Sequence, residues 1–154
     1  AGAESTSASP PISATPYVWT DPTDIPMRDW LYRRLLIRKF VTATVAPGGL
    51  GKSSLITAEA LAQVSGKALL GVEPSGRLRV WLWNLEDPQE ETRRKIQAAA
   101  AHHGLTAEDI GDRLFVDSGR NRPLVVATAD RNGTGSSRCT GWTPPPRPRR
   151  RCGA

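Results

Sequence analysis

The sequence has 154 residues, enough for one hydrophobic core of moderate size, and carries a formal net charge of +6. Residues 131–154 contain six arginines and no acid, so the remaining 15 basic residues balance the 15 acidic ones. The body of the chain is therefore neutral, and the net charge does not indicate a nucleic-acid-binding body.

The two cysteines, Cys139 and Cys152, lie in the same basic segment and lack the spacing of a metal site. No apolar run approaches the ~20 residues of a membrane helix, and the N-terminus lacks a signal-peptide pattern. These features predict a cytoplasmic protein without disulfides and without a membrane partner. The chain starts at Ala1 and its single methionine is Met27, which indicates a fragment or a processed product.

The N-terminal part is poor in core-forming residues. Residues 1–16 are rich in Ala, Ser, Thr and Pro, and this composition predicts a disordered tail. Residues 17–26 place aromatics among prolines and predict an extended arm against the body. Residues 29–40 suit either a helix or a strand, and we favour a strand or hairpin at their C-terminal end.

A phosphate-binding loop is predicted between an apolar strand and a helix. Residues 41–45 alternate β-branched side chains, predicting a central strand, and residues 52–64 favour a helix that ends at Ser65 and Gly66. The intervening sequence fits the Walker A pattern, with alanine in place of the first glycine. The predicted nucleotide-binding residues are Ala46, Pro47, Gly48, Gly49, Leu50, Gly51, Lys52, Ser53 and Ser54.

Each residue type in this loop suits triphosphate chemistry. Gly48, Gly49 and Gly51 permit positive φ and a close backbone approach, so that successive N–H groups form an anion nest at a helix N-terminus. Lys52 is predicted to reach the β- and γ-phosphates, and the Ser53 hydroxyl to complete the coordination shell of Mg²⁺.

A second strand is predicted over residues 78–85, ending in Glu86, Asp87 and Pro88. Its two faces are both largely apolar, as in a parallel sheet covered on both sides. Asp87, Pro88 and Glu90 predict the N-cap, first position and capping-box acid of a helix that runs to His103. Further strands are predicted over residues 113–117 and 124–128. Together these elements predict an α/β fold with a parallel sheet, spanning residues 17–132.

Beyond Gly133 the hydrophobic pattern stops. Residues 133–154 predict a disordered, basic, Pro- and Arg-rich tail, which would be either a nucleic-acid-binding tail or unstructured chain. Out-of-frame reading of a GC-rich gene produces such a composition, so we hypothesise a frameshifted or truncated terminus.

Three stretches together resemble the AAA family ATPases of the RecA-like group related to RepA-type replicative helicases. They are the arm YVWTDPTDIP with the following RDWLY, the segment LIRKFVTATVAPGGLGKSSL, and VWLWNLEDPQEETRRKI. The resemblance covers residues 17–132. It implies a RecA-like P-loop fold, ATP and Mg²⁺ as cofactors, and a homo-oligomer acting on DNA. It also implies that Glu86 is the catalytic carboxylate that polarises the attacking water, alongside Lys52.

The magnesium acid is not settled by the resemblance. Asp117 ends a short run with the local form of a Walker B strand, and is therefore the candidate metal-associated acid next to Ser53. The resemblance, however, implies that the true Walker B strand follows later, where the pattern is lost, so that the fold and its catalytic apparatus are incomplete. Three functions stay open: an ATPase of plasmid or phage DNA replication, a nucleotide-binding remnant without turnover, and a nucleic-acid-binding protein acting through its tail.

Overall fold

The computed structural model describes residues 13–123 and the backbone of residues 128–129 and 135–136. A short 3₁₀ turn, Pro22–Asp24, precedes the regular elements. In chain order these are β1 (Trp30–Tyr32), β2 (Leu36–Ile37), α1 (Lys52–Ser65), β3 (Val80–Asn84), α2 (Gln89–His102), α3 (Ala107–Ile110), β4 (Leu114–Ser118), β5 (Thr128–Ala129) and β6 (Gly135–Ser136).

The hairpin predicted before the phosphate loop is confirmed. β1 and β2 pair in antiparallel fashion, and Arg38 beside them donates from Nε to Asp29 Oδ2 at 2.6 Å. Tyr32, which is 1% exposed, forms an isolated antiparallel bridge with Pro74. The Ser75 N–H donates to the Leu31 carbonyl at 2.9 Å. The hairpin is thereby fixed to the connection that leads into β3.

The helix α1 lies at the centre of the packing. It begins after Gly51 and ends before Gly66, and both glycines are left-handed, with φ of 78° and 74°. These are the conformations that glycine adopts without steric cost, which explains why the helix ends where the sequence predicts. Its C-terminal half is buried, and Leu61 and Val64 are fully enclosed.

A parallel pair of strands lies against α1 and α2. β3 and β4 are in register from Val80 opposite Leu114 to Asn84 opposite Ser118. The core cluster consists of Leu61, Val64, Ile96 and Ala100, packed by partly buried side chains that include Val80, Leu82, Leu114 and Val116. This arrangement confirms a mixed α/β domain with a short parallel sheet.

The opposite face of the sheet carries aromatic side chains. Trp81 and Trp83 stack with ring centroids 4.7 Å apart, and the Arg79 guanidinium lies 4.9 Å from the centre of the Phe115 ring. The core cluster on α1 and α2 packs against the other face of the sheet, through Val80, Leu82, Leu114 and Val116.

Residues 41–45 do not form the predicted central strand. Val41 is 98% and Val45 is 90% exposed, and no strand is assigned there. Alternating β-branched residues favour an extended backbone, but a strand also needs a neighbouring backbone to pair with. No strand pairing joins residues 41–45 to another described segment. The hydroxyl of Thr42 instead donates to the Leu35 carbonyl at 2.8 Å, which ties this segment to the hairpin.

The predicted start of α2 is also corrected. Its N-cap is Pro88, with no side-chain capping bond, and Asp87 does not cap the helix. The Asp87 carboxylate accepts instead from Lys95 Nζ at 2.6 Å and from Asn84 Nδ2 at 2.9 Å. The Asp87 carboxylate binds the Lys95 ammonium and not the helix N–H groups, because hydrogen bonds between charged groups are stronger than those to neutral N–H groups.

No helix in the described part of the chain is both long enough and apolar enough to cross a membrane. β5 and β6 form a two-stranded antiparallel pair. The predicted fourth strand lies outside the described residues apart from residue 128. So do the basic tail, apart from β6, and most of the N-terminal tail.

Candidate phosphate-binding site

The loop before α1 has the backbone that close contact with an anion requires. Gly49 and Gly51 both have φ of 78°, in the region that favours glycine, whereas Gly48 is not left-handed. A Cβ placed on any of these three glycines would meet no protein atom within 4 Å. The space beside the loop is therefore open, and because glycines have no side chains, the backbone N–H groups stay accessible to a ligand.

The N-terminus of α1 is electrostatically suited to an anion. No acidic residue occupies its first turn, and the N-cap Gly51 has no side chain with which to cap the free N–H groups. Those donors and the positive end of the helix dipole face the loop. A phosphate is the natural partner of such a site, because it accepts several hydrogen bonds and carries negative charge.

The Lys52 side chain forms hydrogen bonds with the loop that precedes it. Its ammonium group donates to the carbonyls of Ala46, at 2.5 Å, and of Pro47, at 2.7 Å. Both bonds use a flexible side chain with three donors, so Lys52 can turn toward a phosphate while it stays next to the loop. The loop geometry thus places the predicted cation beside the predicted nest.

A cleft of about 330 Å³ opens between the loop, α1 and the end of β3. This volume lies within the usual ~300–1,000 Å³ range of small-molecule sites. Its walls include side chains from the phosphate loop region, from β3 and the turn after it, and from α2: Thr44, Lys52, Ser53, Ile56, Thr57, Leu82, Trp83, Asn84, Leu85, Glu86, Thr92 and Lys95. Lys52, Ser53 and Glu86, predicted from separate stretches of sequence, line the same cleft.

Glu86 stands in the turn after β3 and is exposed. Its backbone N–H donates to Asn84 Oδ1 at 2.9 Å, and its carbonyl accepts from Arg120 Nε at 2.9 Å. Glu86 is the only carboxylate among the described residues that line the cleft.

Asp117 is not among the residues that line this cleft. Its carboxylate accepts from Trp81 Nε1 at 2.8 Å and forms an ion pair with Arg122 at 3.5 Å. The structure therefore gives no positional support to Asp117 as a magnesium-associated acid beside Ser53. Within the described residues no group of three His, Cys, Asp or Glu side chains converges to hold a metal.

A comparison with known protein families identifies the domain. A family model described as "AAA domain" matches residues 8–137, most of the chain. The chain belongs to the AAA domain family. No curated protein and no solved structure matched it.

Membership of the AAA domain family makes this a P-loop ATPase-type protein and indicates nucleotide binding. Within this AAA domain, three polar side chains around Glu86 carry contacts that sequence reasoning did not assign to the site: Asn84, Lys95 and Arg120. Asn84 could have been recognised, because an Asn that ends a strand two residues before a candidate carboxylate is a common turn-forming residue. Lys95 and Arg120 come from α2 and from beyond β4, and no local pattern links them to Glu86.

Proposed function

We propose that this AAA domain binds ATP with Mg²⁺ and hydrolyses it. The observation that carries the proposal is the joint position of Lys52, Ser53 and Glu86 on one cleft, at the open N-terminus of α1. Residues 46–54 would hold the phosphates, and the Lys52 ammonium would offset the negative charge on the β- and γ-phosphates. Ser53 would supply a hydroxyl ligand to Mg²⁺, and the bound metal would offset the negative charge of the phosphates.

Glu86 would act on the water. A carboxylate within hydrogen-bond reach can orient a water molecule and accept its proton as the water oxygen bonds to the γ-phosphorus. The bond between that phosphorus and the β–γ bridging oxygen breaks, and ADP leaves. The reaction then releases ADP, inorganic phosphate and a proton.

A finer proposal follows from the resemblance stated above. The AAA domain would be RecA-like and would work in plasmid or phage DNA replication as a helicase-like homo-oligomer in the cytoplasm. This finer proposal is supported by the three stretches of sequence that carry the resemblance: the arm, the phosphate loop and the strand that leads to Glu86. Stimulation of ATP turnover by single-stranded DNA, and nucleotide-dependent assembly in analytical ultracentrifugation, are the measurements that test it.

A second candidate function is nucleotide binding without turnover. It is favoured by one observation: among the described residues that line the cleft, Glu86 is the sole acid, and Asp117 is held elsewhere by Trp81 and Arg122. A protein that lacks a second acid to hold the water shell of Mg²⁺ would bind the nucleotide and release it intact.

Two variants with matched controls separate these functions. Lys52→Ala should weaken ATP·Mg²⁺ binding by roughly 10- to 100-fold, the value of one charge-assisted contact of about 1.5–3 kcal/mol. Lys67→Ala, which removes a lysine outside the cleft, should leave affinity unchanged. The measurement is titration calorimetry. Equal affinity of the wild type and Lys52→Ala would remove the loop from the proposal.

The second pair addresses chemistry. Glu86→Gln should lower the single-turnover rate by about 10²- to 10⁴-fold, the usual contribution of a general base, with binding retained. Glu90→Gln, on the exposed first turn of α2, should turn over like the wild type. Tight binding with no release of phosphate from the wild type would instead establish the function without turnover.

A further inference from the structure

The turn that carries Glu86 is organised by one side chain. Asn84 Oδ1 accepts the backbone N–H of Glu86 at 2.9 Å and that of Asp87 at 3.0 Å. The other end of the same amide, Nδ2, donates to Asp87 Oδ2 at 2.9 Å. Asn84 therefore uses its acceptor and one donor to close the turn, and sets the backbone direction at Glu86.

The carbonyl groups of this turn are fixed by the end of β4. The N–H of Gly119 donates to the Asn84 carbonyl at 2.8 Å. Arg120 Nε donates to the Glu86 carbonyl at 2.9 Å, and Ser118 Oγ to the Asp87 carbonyl at 2.7 Å. Ser118 is 1% exposed, so this contact is shielded from water. The turn is thus attached to three consecutive residues, the last residue of β4 and the two that follow it.

A third set of contacts comes from α2. Lys95 Nζ lies 2.6 Å from Asp87 Oδ2, and both groups are partly buried. The hydrogen bond from Lys95 lowers the pKa of Asp87, and the same bond raises the pKa of Lys95. The pair therefore stays ionised at neutral pH, and Asp87 remains available as the acceptor that holds the Asn84 amide in one orientation.

The Glu86 carboxylate itself has no such support. Among the described residues no hydrogen bond or ion pair reaches this carboxylate, its side chain is exposed, and Lys95 acts on it only as a nearby charge. Its position in the cleft therefore depends on the backbone from which it projects. We propose that Asn84 is a positioning residue, which sets the distance between the Glu86 carboxylate and the γ-phosphate. This inference rests on the proposed function, because it concerns the same site.

The test is a double-mutant cycle with Asn84→Ala, Glu86→Gln and the double variant, measured by single-turnover hydrolysis at saturating ATP·Mg²⁺. Loss of positioning should slow Asn84→Ala by on the order of 10- to 100-fold, since a displacement of about 1 Å costs up to ~10²-fold. Its affinity for ATP should stay within about threefold of wild type. In the Glu86→Gln background the Asn84 substitution should have little further effect, because the carboxylate that it positions is gone.

Controls separate positioning from general damage. Asn121→Ala removes an exposed asparagine amide whose one side-chain contact, to Gln89 Oε1, is 3.4 Å long, and should react like the wild type. Asn84→Asp keeps an oxygen acceptor for both N–H groups but places a second carboxylate beside Asp87. It should recover part of the rate lost in Asn84→Ala. A role in stability alone predicts instead that folded Asn84→Ala loses no rate at all. Thermal melts of every variant establish that the proteins are folded.

A binding measurement tests the same proposal if the wild-type protein does not hydrolyse ATP. Removal of the Glu86 charge should raise affinity for ATPγS relative to ADP, because the carboxylate and the terminal phosphate repel each other. Asn84→Ala should shrink that gain. An unchanged gain, or equal rate losses from Asn84→Ala with and without Glu86, would overturn the positioning role while nucleotide binding stands. Failure of the wild type to bind any nucleotide would overturn the proposed function as well.

Discussion

Among the described residues, Asp109 is the carboxyl group whose pKa is lowered most. Its carboxylate accepts from Lys67 Nζ at 2.8 Å and from the Thr106 N–H at 2.9 Å. The hydrogen bond from Lys67, followed by that from Thr106, lowers the pKa of Asp109 to about 2 from an ordinary 3.8. Because the folded-state pKa lies below the unfolded one, the carboxylate stabilises the fold above an approximate pH of 4 and stops doing so as pH falls through about 2.

Asp109→Asn should therefore be less stable than the wild type at neutral pH, and the difference should shrink to nothing near pH 2. Urea unfolding between approximately pH 7 and 2 measures this difference. Asp112→Asn serves as the control, since its contact with Arg113 is longer, at 3.8 Å. A difference between wild type and Asp109→Asn that does not change with pH would show that Asp109 acts through its shape and not its charge.

At the scale of elements, β4 and the Glu86 turn meet where no side chain fits. A Cβ added to Gly119 would lie 3.0 Å from the Leu85 Cα and 3.3 Å from its carbonyl oxygen, and 2.9 Å from its Cδ2. The first two are backbone atoms, which cannot move without displacing the turn. Gly119→Ala should cost about 1–3 kcal/mol in the free energy of unfolding, as overpacking usually does.

Gly48→Ala provides the comparison for stability, because its Cβ would meet no atom within 4 Å and its φ is not left-handed. Urea denaturation should show it within about 0.5 kcal/mol of the wild type, as is usual for exposed substitutions. If both alanine variants were equally stable, the close approach of Gly119 to Leu85 would not be a constraint on the fold.

Local signals account for the elements that the sequence predicts well. The ends of α1 are marked by glycines that adopt positive φ. The phosphate loop is recognisable because phosphate binding requires glycines, a lysine and a serine at fixed spacing. Each of these signals lies within a few residues of the structure that it specifies.

The errors concern contacts between distant parts of the chain. The sequence pattern predicts that Asp87 is an N-cap, but its carboxylate is bound by Lys95 and Asn84 instead. The bond between Arg120 and the Glu86 carbonyl spans 34 positions, and no spacing rule predicts it. Residues 41–45 have strand composition, but composition does not specify the neighbour with which a strand pairs.

Across the whole molecule, burial is concentrated around the second half of α1, and the hydrophobic core thins toward the phosphate loop. Leu61 and Val64 are fully buried, whereas Val41 and Val45 are almost fully exposed. Exchange of backbone amides reports this gradient, because protection follows hydrogen bonding and local stability. We expect amides of residues 60–65 to exchange slowest, those of β3 and β4 next, and those of residues 41–46 faster than either by more than about tenfold.

The same measurement in the presence of ATP·Mg²⁺ separates the loop from the segment before it. Nucleotide bound at the N-terminus of α1 should slow exchange at residues 48–54, because their N–H groups would donate to phosphate oxygens. Residues 41–45 should not change, since no strand pairing joins them to another described segment. Strong protection of residues 41–45 without nucleotide would mean that this segment is a paired strand in solution, as its sequence pattern suggests.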